Sequence, residues 1–222
     1  MKTIVAKFGG TSLSDAGQFR KVKAIIEQDP ARRFIVASAP GKRFPEDIKV
    51  TDLLLECYES AAAGQDFGLT LEKIRNRFQK IITELELDFP LDAEIKTLRT
   101  HLENDPQRDY VMSRGEYLNS RILADWLDFT FVDPAWCVSF DENGKLDAAM
   151  THRAMGASLR PLKQNTSICG RSSINSLFRT MSPFKSWFKP ENILSVKHLK
   201  QLKALKTSLS ISIIPHLSFK DV

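Results

Sequence analysis

A short apolar strand that runs into Lys7-Phe8-Gly9-Gly10-Thr11-Ser12 constrains this chain more than any other stretch. Residues 3–6 read as a buried strand, and residues 15–28 read as an amphipathic helix with Phe19, Val22, Ile25 and Ile26 on one face. A second apolar strand follows at 34–38. Two strands joined through a helix form a β-α-β unit, so the pair is parallel and the fold is α/β. The turn between strand and helix is glycine-rich, which lets a backbone approach a ligand closely, and a helix start offers unpaired N–H groups and a positive dipole end to an anion. Lys7 adds a mobile charge. The same residues also fit a plain tight turn with a solvated lysine at the strand end.

Downstream, helices prevail. Thr51 is placed as the N-cap of a helix through Ala63 that stops at Gly64. Residues 69–87 and 91–103 carry Leu and Ile on one face and charges on the other, so they read as a helical insertion whose charges are solvated. A helix over 109–127 precedes a strand at 129–132, and Asp141-Glu142-Asn143-Gly144 is turn chemistry. Asp15 and Gln18 stand three apart at a helix start, a capping arrangement, although Thr11 and Ser12 also fit as caps. Pro40, Gly41 and Pro45 make 39–50 a loop that is mobile until substrate arrives.

The net charge of +5 does not mark a nucleic-acid binder, because of where it lies. Residues 1–163 hold 23 Lys and Arg against 25 Asp and Glu, whereas 164–222 hold 9 against 2. The second stretch also has 11 serines, against 8 in the first. The chain therefore divides into 1–163 and a Ser-rich basic tail, 164–222. Within the tail, 196–209 fits an amphipathic basic helix or a solvated segment. Cys57, Cys137 and Cys169 are dispersed and odd in number, which suits a reducing cytoplasm and neither a disulfide framework nor a Cys-x-x-Cys metal site. His101, His152, His198 and His216 show no ligand spacing. Trp126, Phe131 and Trp136 read as core rather than as a base-stacking platform. No targeting segment and no bilayer-spanning run are read.

The glycine spacing fits neither the Walker pattern nor the dinucleotide fingerprint. Three segments instead occur in order: Lys7-Phe8-Gly9-Gly10-Thr11-Ser12; Ala37-Ser38-Ala39-Pro40-Gly41-Lys42-Arg43; and Ser113-Arg114-Gly115-Glu116-Tyr117-Leu118-Asn119-Ser120-Arg121. Together they resemble the N-terminal motifs of aspartokinases, of the amino acid kinase superfamily, over roughly residues 1–163. The resemblance implies a three-layer α/β fold with a mainly parallel sheet. It also implies ATP-dependent phosphorylation of the side-chain carboxylate of L-aspartate to 4-phospho-L-aspartate, the first step toward lysine, threonine and methionine. Lys7, Phe8, Gly9 and Gly10 are implied to hold the nucleotide, with Lys7 also on the transferring phosphate, and Ser38, Thr51 and Glu116 to hold aspartate. Without the resemblance, Glu116 reads as a surface carboxylate paired with an arginine; Arg114 and Arg121 fit phosphate or carboxylate ligands but read as structural charges.

ATP arrives with Mg²⁺ held by phosphates and water, so no protein metal ligands are implied. L-aspartate and ATP are then the partners, with no nucleic acid and no membrane, in a cytoplasmic protein whose family members are homo-oligomers. The resemblance stops in the tail. Aspartokinases continue into an Arg-Gly-Gly-Ser-Asp segment, the adenine-binding half and paired ACT domains, none of which is found, and 165–222 holds a single glycine, Gly170. The tail fits a shifted reading frame, and the 222 residues are expected to be inactive or nearly so. The alternatives are a fragment that binds aspartate or a partner without catalysis, and another carboxylate kinase of the superfamily.

Overall fold

The computed structural model describes residues 3–134, parts of 138–154, and two strands at 166–169 and 211–213. Strand β1 (Thr3–Phe8) passes through a 3-10 turn (Gly10–Leu13) into α1 (Ala16–Glu27), and the chain returns in β2 (Arg32–Ala37). The two strands pair in parallel with Val5 opposite Phe34 and Lys7 opposite Val36, so the expected β-α-β unit is present. Four helices follow: α2 (Val50–Ala62), α3 (Gly68–Glu84), α4 (Leu91–Asn104) and α5 (Arg108–Leu127). Strands β3 (Thr130–Val132), β4 (Thr166–Cys169) and β5 (Ile211–Ile213) complete a sheet of order β3-β4-β2-β1-β5, parallel throughout. β4 and β5 come from the stretch that composition sets apart, and β4 lies between β2 and β3.

Alternation along the strands decides where the core sits. Ala6 and Phe8 of β1 and Ile35 and Ala37 of β2 are buried against one helical layer, which supplies Phe19, Leu54, Phe78, Ile122 and Leu123 to the same core. Fully burying one such side chain is worth about 1.5–3 kcal/mol. The residues between them, Val5, Phe34 and Val36, are half-buried and Lys7 is exposed, so they mark the other face of the sheet. Trp126 packs against the core as expected, whereas Phe131 is half-buried and packs edge-on against Tyr117 outside the core cluster.

Helix ends account for most differences from the sequence reading. The Asp15 carboxylate accepts the Gln18 N–H at 3.0 Å, so Asp15 caps α1 and neither Thr11 nor Ser12 does. The cap of α2 is Lys49, which makes no side-chain bond, so Thr51 is not the cap and sits inside the first turn. Gly64 follows the C-cap of α2 at φ +69°, and the Gly64 and Gln65 N–H groups bond to the Ala61 and Ser60 carbonyls, which closes the helix as expected. Helix α3 stops at Glu84, three residues short of expectation, through the same bond pattern from Glu86 and Leu87, with Glu86 left-handed at φ 57°. No glycine announces that stop. Among the described residues, no helix is long and apolar enough to cross a membrane. The readings on Trp136, Cys137, His152, the Cys169 side chain, His198, His216, most of the 141–144 turn and the 196–209 helix fall outside the described structure.

Candidate active site

The carboxyl ends of β1 and β2 lie side by side, which in a parallel α/β sheet is where ligands are bound. The expected site residues gather there through a chain of contacts. The Ser38 N–H donates to Phe8 O at 3.2 Å, and the Gly41 N–H donates to Gly10 O at 2.8 Å, so the loops after the two strands are bonded to each other. The Val50 N–H reaches Pro40 O at 3.3 Å, which seats the first turn of α2, and with it Thr51, on the second loop. From α5, the Asn119 Nδ2 donates to Ser38 O at 2.7 Å. Gly115 lets α5 come close: a Cβ there would lie 3.0 Å from the Ala39 Cβ and 3.1 Å from Leu54 Cδ1. Glu116, the next residue, is thereby held at the same junction and is buried.

The paired glycines of the first loop have different reasons to be glycine. A Cβ on Gly10 would stand 2.8 Å from Ala39 O, and one on Gly41 would stand 2.6 Å from Gly10 C and 2.7 Å from Thr11 N. Those contacts are backbone against backbone, so only glycine permits the two loops to touch. Gly9 is unlike them: its φ of −78° and ψ of 170° suit any residue, and a Cβ there would meet nothing within 4 Å. Neither conformation nor packing within the described structure requires glycine at that position. Open space over a bare backbone segment is what the approach of a ligand's phosphates would use.

Lys7 is exposed beside this opening. Phe8 turns its side chain into the core, so it meets the opening only through its backbone. At the helix start expected to receive an anion, the Asp15 carboxylate accepts the Gln18 N–H, and the loop enters α1 through a 3-10 turn. Ser38 and Thr51 are half-buried on the second loop and α2. Arg121 pairs with Glu94, and the Arg114 guanidinium stacks over Tyr110 and Tyr117 at 4.4 and 4.2 Å, so both have structural partners.

Three polar residues at the junction escape the sequence reading. The loop expected to be mobile is fastened by Asp47, whose carboxylate accepts the Arg43 N–H at 2.9 Å, Arg43 Nε at 2.8 Å and Arg77 Nη1 at 2.8 Å. Hydrogen bonding from Arg43 holds the Asp47 carboxyl well below the usual carboxylate range. Arg77, on a helix whose charges were expected to be solvated, is buried. Its signal was its register: it lies with Thr70, Leu71, Ile74, Phe78 and Ile81 on the buried stripe of α3. Asn119 is likewise fully buried, on the inner stripe of α5.

The sequence model described as "Amino acid kinase family" matches residues 2–168. Aspartokinase 3 of Bacillus subtilis (strain 168) is 39% identical over 131 residues, which cover 56% of this chain and 29% of that protein. The structure of Clostridium acetobutylicum aspartate kinase superposes with a TM-score of 0.71 at 38% identity, covering 76% of this chain and 38% of the other. Escherichia coli aspartokinase III, solved in complex with aspartate and ADP, gives a TM-score of 0.61 at 22% identity over 75% of this chain and 40% of that one, a likeness of fold. The chain thus spans less than a third of the length of the curated relative and about two fifths of these structures.

Proposed function

The chain belongs to the amino acid kinase family, and from that premise we propose that it forms the N-terminal part of the catalytic domain of an aspartate kinase. The reaction moves the γ-phosphoryl group of ATP to the side-chain carboxylate of L-aspartate. A carboxylate oxygen forms the new P–O bond as the bond to ADP breaks, yielding 4-phospho-L-aspartate and ADP. The observation that carries the proposal is the open space over Gly9 at the carboxyl end of β1, beside exposed Lys7.

Each residue has a role set by charge. Phosphoryl transfer concentrates negative charge, which must be met by cations and fixed N–H donors. The Lys7 ammonium serves the transferring group, and the backbone of Phe8, Gly9 and Gly10 serves the phosphates. Glu116, a buried carboxylate on α5, suits the ammonium group of the amino acid, while the Ser38 and Thr51 hydroxyls suit its carboxylates. Thr51 sits in the first turn of α2, which the bond from Val50 N–H to Pro40 O seats on the second loop. Mg²⁺ would be held by the nucleotide's phosphates and water rather than by dedicated protein ligands. That ion would supply further neutralisation of phosphate charge.

In this reading the protein acts in the cytoplasm, at the first step toward lysine, threonine and methionine, as part of a homo-oligomer. Residues 164–222 carry no Arg-Gly-Gly-Ser-Asp segment. Because the glycine loop and Ser38, Thr51 and Glu116 all lie within 1–163, the 222-residue chain is proposed to hold the nucleotide's phosphates and L-aspartate, with little or no transfer. Two measurements test this together: the melting temperature with MgATP and L-aspartate, and aspartate-dependent ADP release with the acyl phosphate trapped by hydroxylamine. Stabilisation by both ligands with little or no turnover is expected. No stabilisation by either ligand overturns the assignment, and brisk turnover overturns the claim of incompetence.

A further inference from the structure

We propose that Arg77 is the positioning residue of this site: from α3, its guanidinium holds the loop after β1 and the loop after β2 in one register. The Nη1 donates to Asp47 Oδ2 at 2.8 Å and to Ile48 O at 3.4 Å. The Nη2 donates to Gly41 O at 2.5 Å and to Ser14 O at 3.3 Å. One planar group thus spans the start of α1 and both ends of the second loop. The route to the ligand is short. Gly41 accepts from Arg77 through its carbonyl and donates its N–H to Gly10 O at 2.8 Å, so the glycine loop is two hydrogen bonds from Arg77. Because glycine backbones touch at that point, a displacement of Gly41 displaces Gly10.

A buried ion pair is weak evidence for stability, since desolvation offsets much of its attraction. Its geometry is better evidence for arrangement. Arg77 is 6% exposed and Asp47 8%, and Arg43 grips the same carboxylate from the solvent side. A lysine at 77 would keep the charge but reach only part of this set, because an ammonium is a point charge and a guanidinium a rigid fork. Arg77→Lys therefore separates positioning from charge.

The experiment is amide hydrogen exchange on the full 222-residue chain, wild type against Arg77→Lys, with MgADP affinity measured on the same samples. Exchange over residues 9–15 and 39–49 is expected to rise about tenfold, and that over 111–124 to stay within about twofold. MgADP affinity is expected to fall about tenfold, a readout that loss of stability alone would not move selectively. Should Arg77→Lys fail to fold, Asp47→Asn replaces it, removing the charged acceptor at constant shape, with the same two segments expected to open. Unaltered exchange in both loops, an even rise over the whole chain, or local opening with unchanged MgADP affinity each overturns the proposal. The affinity arm rests on the kinase reading. If the wild type binds no MgADP, that reading fails and the exchange pattern alone decides the role of Arg77.

Discussion

Replacing Gly41 and Gly9 by alanine, one at a time, separates a glycine that the protein needs from one that a ligand needs. In Gly41→Ala the new Cβ would lie 2.6 Å from Gly10 C, 2.7 Å from Thr11 N and 2.9 Å from Gly10 O. None of these is a flexible side-chain end, so the two backbones must part by about 1 Å to regain ordinary separations. Overpacking of that kind costs about 1–3 kcal/mol. Parting also lengthens the 2.8 Å bond from Gly41 N–H to Gly10 O, a further loss of about 1 kcal/mol. The sum, about 2–4 kcal/mol, lowers the melting temperature of a chain this size by about 5–15 °C. Gly9→Ala meets open space and an allowed backbone, so stability should hold or rise by up to about 1 kcal/mol as the unfolded chain loses freedom. Urea and thermal unfolding by circular dichroism measure both variants. If Gly41→Ala melts with the wild type, or if Gly9→Ala is the less stable of the two, the reasoning from loop contact is refuted.

The buried network yields a pH dependence. The folded Asp47 carboxyl titrates below its ordinary value of 3.8, so the unfolded state takes up the proton first; the stability it contributes is present above 3.8 and drains as pH falls below it. Urea midpoints followed from neutral to acid pH should show that loss in the wild type and a shallower slope in Asp47→Asn; equal slopes would contradict the assignment. Burial pushes the Cys57 thiol up to about 12, so peptide-resolved alkylation at neutral pH should leave Cys57 unlabelled until the protein unfolds. Labelling of Cys57 under native conditions would show that the α2 face opens. Asn119→Ala removes the donor to Ser38 O and should cost about 1–3 kcal/mol in chemical denaturation, while an unchanged midpoint would mean that the bond contributes nothing.

Most of the fold was legible because periodicity carries it. The strands of the β-α-β unit, the helices over 50–62, 91–104 and 108–127, and the Gly64 stop lie within two residues of expectation, since apolar spacing and a left-handed glycine leave a direct trace. The end of α3 was not legible, because Glu86 takes a left-handed conformation that no residue preference marks. The loop over 39–50 read as mobile because its composition is Pro, Gly and charge. What fastens it is Asp47, gripped by Arg43 within the loop and by Arg77 more than 25 residues away, and a long-range ion pair has no local signature. Gly9 and Gly10 read as one motif, yet their separate reasons emerge only when Gly41 is seen against Gly10. Arg77 and Asn119 were the recoverable misses: each polar residue falls on a buried stripe, a signal of an inward polar role.

The most direct test of the kinase account is calorimetric titration of the 222-residue chain with L-aspartate and, separately, with MgADP, in the wild type, Glu116→Gln and Gly9→Ala. The account predicts that the wild type binds both ligands, that Glu116→Gln loses L-aspartate affinity by about tenfold or more while keeping MgADP, and that Gly9→Ala does the reverse. A wild-type chain that binds neither ligand, or variants that lose both together, would contradict it.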